Sequence, residues 1–82
     1  MFYVYILKSN KDEGLYIGYS KNLKQRIDFH KNGLSKSTKH RRPLILIFYE
    51  AFINKTDARK REIYLKSGYG RKQLNSILKN IL

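Results

Sequence analysis

Apolar and polar residues alternate along positions 2–8 (FYVYILK) and again along 15–20 (LYIGYS), with the polar stretch SNKDEG between them. Two period-two segments around a turn-forming stretch predict a β-hairpin. Setting Tyr5 opposite Tyr16 brings Tyr3 against Gly18, so one face carries Tyr3, Tyr5, Tyr16 and Gly18. The other face then carries Phe2, Val4, Ile6, Leu15, Ile17 and Tyr19, a surface suited to a core. A one-residue slip would mix the two sets, so the aliphatic face pins the register.

Beyond the hairpin the period changes to that of a helix. Asn22 is placed to cap a helix running to about Asn32, with Gly33 to end it. Leu23, Ile27, His30 and Leu34 fall on one stripe, and Arg26 stands one turn before His30. The segment SKSTKHRRP (35–43) reads as a basic loop closed by the only proline. LILIFYEAF (44–52) is apolar on both faces, as in a strand covered on both sides. Asn54 or Thr56 then caps a second helix to about Lys66, SGYG breaks the chain, and a third helix places Leu74, Ile77, Leu78, Ile81 and Leu82 at core spacing. The order ββαβαα predicts an α+β fold, a three-stranded antiparallel sheet flanked by three helices. With 82 residues, no repeat and no linker, residues 1–82 form a single domain around one modest core.

Charge narrows the partner. Eighteen Lys and Arg against six Asp and Glu give +12, which gathers polyanions around a small body. Nucleic acid fits this better than an anionic membrane, because the basic residues are not confined to one amphipathic helix. No apolar run approaches a membrane span, and the N-terminus alternates like a strand rather than reading as a signal peptide, so a cytoplasmic location is expected. The absence of cysteine excludes disulfides, thiolate zinc sites and cysteine nucleophiles.

Several residues carry candidate chemistry. Tyr3, Tyr5 and Tyr16 on one hairpin face read either as cross-strand packing or as phenols beside a hollow. Gly18 adds nothing to packing and favours the second reading, since it lets a ligand or a functional side chain approach the sheet closely. Glu62 shares a helical stripe with Ala58 and Leu65 and so faces inward or lines a pocket rim. It is either a surface ion pair with Arg59 or Lys66, or a carboxylate for Mg²⁺, which needs only one or two such ligands beside water and phosphate oxygens. No group of carboxylates suits a two-metal site. His30 is either a satisfied core-edge histidine or a polar site residue. Arg26, just inside a helix N-terminus, is placed for bidentate phosphate recognition. Lys21, Lys24, Lys39, His40, Arg41 and Arg42 form a phosphate-contact surface that Arg71 and Lys72 extend.

Taken together, YVY at 3–5, YIG at 16–18, Arg26 after NLKQ, His30 and the KRE ending at Glu62 resemble the GIY-YIG nuclease domain over nearly the whole chain. TKHRRP and LKSGYGRK resemble the small stand-alone bacterial members. The resemblance implies a metal-dependent endonuclease acting on DNA phosphodiester bonds with one divalent ion, Mg²⁺ or Mn²⁺, in structure-specific DNA processing or repair. It implies that Tyr5 or Tyr16 positions the attacking water and takes its proton, that Arg26 stabilises charge on the phosphate, and that His30 fills a polar position of the site. Glu62 would hold the metal, and Asn75 matches, loosely, a polar position that follows the metal-binding Glu. A tyrosine base requires its pKa to be lowered from about 10, which positive surroundings and a metal favour.

One residue departs from the pattern: Tyr3 stands where the family has Gly, narrowing the cleft. The alternative function is a catalytically weak nucleic-acid-binding module for DNA or structured RNA. No zinc finger or second domain in the sequence supplies specificity, which leaves that role to a protein partner.

Overall fold

The computed structural model describes residues 1–82. Its elements are β1 (Phe2–Ser9), β2 (Leu15–Ser20), α1 (Leu23–Lys31), a 3-10 turn (Lys39–Arg41), β3 (Leu44–Phe52), α2 (Lys55–Lys66) and α3 (Gly68–Ile77). This is the α+β fold expected, with three antiparallel strands in the order β2-β1-β3. No helix is long and apolar enough to cross a membrane.

The hairpin register lies two residues from the expected one: Tyr5 pairs with Gly18, and Leu7 with Tyr16. The turn sets the difference. Ser9 N–H donates to the Gly14 carbonyl at 2.9 Å, and the buried Ser9 hydroxyl accepts from the N–H groups of Lys11 and Asp12. A four-residue turn is thereby gathered around Ser9. Because side chains alternate with period two, a two-residue shift leaves both faces intact.

Each face has its own cover. Val4, Ile6 and Ile17 pack with Ala58, Leu65, Leu74 and Leu78 of the α2–α3 side, joined by Phe2, Leu15 and Tyr19. Tyr5, Leu7 and Leu44 pack with Ile27 of α1, flanked by Tyr16, Leu23 and Leu46. The strand buried on both sides is therefore β1, whose residues Val4 to Leu7 are all inaccessible. β3, expected in that place, is an edge strand with Ile45 and Tyr49 exposed, because β1 lies between the other two strands.

The helices begin and end close to the expected places. Asn22 and Asn54 accept at their caps from the N–H groups of Gln25 and Asp57. Gly33 takes φ +76°, a left-handed turn that glycine adopts without strain, and the chain leaves the α1 stripe there, so Leu34 is exposed. α3 presents only Gly70, Leu74 and the capping Leu78 to the core; Ile77 faces outward, and Ile81 and Leu82 lie past the helix end, all exposed. SGYG does more than break the chain. Ser67 closes α2 and caps α3, accepting from Gly70 N–H at 3.2 Å. A Cβ on Gly70 would overlap the backbone of Tyr64 and Leu65, so the first turn of α3 rests directly on α2.

Candidate active site

Tyr5 projects from the central strand toward α1, and its phenol lies across Gly18 on the neighbouring strand; a Cβ there would overlap Cζ and Oη of the ring. The space left by the glycine is thus filled by a tyrosine of the same chain. From α1, His30 reaches the same point: its Nε2 is hydrogen-bonded to Tyr5 Oη at 2.8 Å. Its Nδ1 is hydrogen-bonded at 2.7 Å to Oγ1 of Thr38. Tyr5, His30 and Thr38 are at most 1 % exposed, so this chain of three groups is sealed in protein.

Tyr16 lies beside the chain, its ring centroid 5.0 Å from that of His30 and 6.3 Å from that of Tyr5. It is only half-buried, and its hydroxyl bonds to no protein group, which makes it the phenol that solvent can reach. Tyr3 packs edge-on against Tyr49 at 6.1 Å on the same face.

Arg26 is exposed, forms no ion pair, and lies 5.1 Å over the Phe29 ring. It borders a hollow of ≈ 490 Å³ between Ser20 and the outer side of α1, whose walls include Asp28 and Phe29. Of the site residues only Arg26 lines this hollow; Tyr5, Tyr16 and His30 do not.

Electrostatics tie these groups together. Burial pushes the Tyr5 phenol well above the usual tyrosine range, Tyr16 and Glu62 add to the rise, and Arg26 alone opposes it. The lowering expected from positive surroundings is outweighed, because desolvation of a buried phenolate exceeds the pull of one guanidinium. His30 is held below its ordinary value by burial first and by Arg26 second, so it is neutral at pH 7.

Glu62 occupies the inward stripe of α2 between buried Ala58 and Leu65, 9 % exposed, and its charge acts on Tyr5. Its carboxylate oxygens face Lys66 at 3.0 Å and Arg59 at 3.8 Å, and Arg59 also stacks over Tyr19. The inward reading and the ion-pair reading of this residue both hold. No three His, Asp or Glu residues cluster anywhere in the fold. A lone, largely buried carboxylate whose two cations sit on half-exposed, flexible side chains fits a divalent ion completed by water and phosphate oxygens.

Asn75 stands apart from this cluster. It is exposed on α3, in a hollow with Glu13, Gly14 and Arg71 beside the hairpin turn. Among the expected phosphate contacts, Lys21, Lys24, Lys39, His40, Arg42, Arg71 and Lys72 are exposed and free of carboxylates. Arg42 lies over Gly33 and donates to the Lys39 carbonyl. Arg41 differs. Its Nε and a terminal nitrogen donate to Asp12 at 2.6 and 3.1 Å, which holds the Asp12 carboxyl well below the usual range. Its carbonyl accepts from Ser9 Oγ, so the basic loop is stitched to the hairpin turn. Thr38 escaped the sequence reading: a threonine inside a cationic loop carries no periodic signal of burial.

The GIY-YIG catalytic domain model matches residues 1–75. The chain is 51 % identical over 67 residues to a UPF0213 protein of Clostridium perfringens, covering 80 % of this chain and 71 % of that one. It is 45 % identical over 76 residues to a UPF0213 protein of Staphylococcus saprophyticus, covering 92 % of each. The solution NMR structure of a UPF0213 protein from Bacillus halodurans matches with a TM-score of 0.59 and 36 % identity, over 94 % of this chain and 85 % of that one. On its motifs, its fold and these relatives, the chain belongs to the GIY-YIG nuclease family, beside the bacterial UPF0213 proteins.

Proposed function

We propose that this protein is a divalent-metal-dependent endonuclease that hydrolyses DNA phosphodiester bonds, with structure-specific processing or repair as its setting. The observation that carries the reading is the buried Tyr5–His30 bond beside the accessible Tyr16, with Arg26 acting on both buried groups.

In this reading Arg26, free of any carboxylate, pairs with non-bridging oxygens of the scissile phosphate and offsets the charge that develops there. Tyr16, the accessible phenol, orients the attacking water. The water oxygen bonds to phosphorus as the bond to one sugar oxygen breaks; the proton that the water loses passes by way of the Tyr16 hydroxyl to solvent, and solvent protonates the sugar oxygen that leaves. Tyr5 and His30 stand behind Tyr16 as a sealed pair that water does not enter. Glu62 is the residue to hold Mg²⁺ or Mn²⁺, which when bound adds positive charge at the phosphate. Lys21, Lys24, Lys39, His40, Arg42, Arg71 and Lys72 supply sequence-independent backbone contacts, and a protein partner supplies specificity. DNA is preferred to RNA on the family likeness.

The test is incubation with branched, flapped, single-stranded and duplex DNA in Mg²⁺ or Mn²⁺, beside Glu62→Ala. Cleavage by the parent and none by the variant is expected; equal cleavage by both would remove Glu62 from the metal site.

A second reading, a binding module without useful catalysis, is favoured by one observation. Glu62 already has two cationic partners and needs no metal to neutralise it. Salt-sensitive binding of DNA or structured RNA with no cleavage of any substrate distinguishes it.

A further inference from the structure

The hollow beside Arg26 has walls of two kinds. Phe29 and Leu34 make the apolar one. Leu34 is 62 % exposed, because the left-handed turn at Gly33 takes it off the buried stripe of α1, and it lines the hollow instead. Gln25, Asp28 and Asn32 make the polar one, all three exposed. Asp28 takes part in none of the chain's ion pairs, although Lys24 and Lys31 lie one turn to either side of it. A free carboxylate repels phosphate, so it is out of place on a surface that holds only the strand backbone. It is well placed to accept from the hydrogen-bond donors of a base edge. A nucleobase has flat apolar faces and polar edges, which match both walls. The volume of the hollow, ≈ 490 Å³, lies in the range of small-ligand sites.

We propose that this hollow receives one unpaired nucleobase of a DNA strand, its face against Phe29 and Leu34 and its edge donating to Asp28, with Gln25 and Asn32 alongside. The inference deepens the nuclease reading and rests on it for the strand whose phosphate Arg26 holds at the rim. A base inside a duplex has both faces stacked and its pairing edge occupied, so the hollow selects flaps, branches and single strands over duplex. It also selects among bases. Guanine carries two adjacent donors on its pairing edge and satisfies both oxygens of a carboxylate; thymine offers one donor between two carbonyls, which the carboxylate repels. Asp28 is thereby a specificity residue and Arg26 the link between the base and the reacting phosphate.

The experiment measures binding of the full chain, in EDTA, to short fluorescent single strands of thymidines. One strand carries a central guanine, one is thymine throughout, and one has an abasic site at the centre. The guanine strand is expected to bind tighter than the thymine strand by about fivefold or more, the low end of what one bidentate contact to a base edge discriminates. The abasic strand is expected to bind weakest. Asp28→Ala is expected to tighten binding of all three strands, by loss of a negative charge, and to abolish the guanine preference. Leu34→Ala is expected to narrow the gap between the thymine and abasic strands. Both residues are exposed, so neither change threatens the fold. Equal binding of the three strands by the parent, or a guanine preference that survives Asp28→Ala, overturns the proposal. Binding through phosphates alone would leave the nuclease reading standing, since no cleavage is measured; a chain that binds none of the strands would overturn both.

Discussion

Tyr5 and Gly18 face each other across the β1–β2 ladder, and the ring of one occupies the volume that the other leaves free. Since Tyr5 is 1 % exposed and bonded to His30, it has little room to yield. Gly18→Ala is therefore expected to lower stability by about 1–3 kcal/mol, the usual range for overpacking a well-filled site. Chemical denaturation measures the loss. A variant as stable as the parent would mean that the ring moves aside freely.

Stability is also expected to depend on pH through His30. Burial, followed by Arg26, lowers its pKa in the folded chain, while the unfolded chain binds a proton near the usual 6.5. Below that pH the unfolded state holds more protons than the folded one, so stability falls as pH drops through 6.5 and stops falling below the folded value. Unfolding curves between pH 7 and 5 are expected to show this slope in the parent and to lose it in His30→Gln. Parallel curves for the two proteins would contradict the sealed, neutral His30.

The basic loop divides into cations that are free and one that is committed. Arg41 is bound to Asp12, whereas Lys39 is exposed and unpaired. Lys39→Ala is expected to reduce the slope of log affinity against log salt by about 0.7–0.9, the value for one lost phosphate contact. Arg41→Ala is expected to leave that slope unchanged and to loosen the hairpin turn instead. DNA-binding titrations at several salt concentrations separate the two residues.

The faces of the hairpin were legible in the sequence because Phe2, Val4 and Ile6, and Leu15, Ile17 and Tyr19, place four aliphatic and two aromatic residues at every second position. Its register was not, since a slide of two residues preserves both faces and only the turn around Ser9 distinguishes the alternatives. That turn rests on a buried hydroxyl, which has no periodic signature. The same limit hid Thr38, a buried residue amid lysines and histidine. Glu62 was legible because it shares a stripe with Ala58 and Leu65, and both of its readings, inward and ion-paired, are realised together. The apolar run of β3 pointed to the wrong strand as the one covered twice, because composition records hydrophobicity and not position in the sheet.

In the proposed function the Tyr16–Arg26 surface cuts phosphodiesters rather than merely binding them. The most direct measurement compares the parent with Arg26→Ala on labelled DNA in Mg²⁺, at concentrations where both are shown to be bound. Metal-dependent cleavage by the parent is expected, with a loss of about 10²–10³-fold in the variant, as for removal of one group that stabilises transition-state charge. A parent that binds without cutting any DNA, or a variant that cuts as fast as the parent, would contradict it.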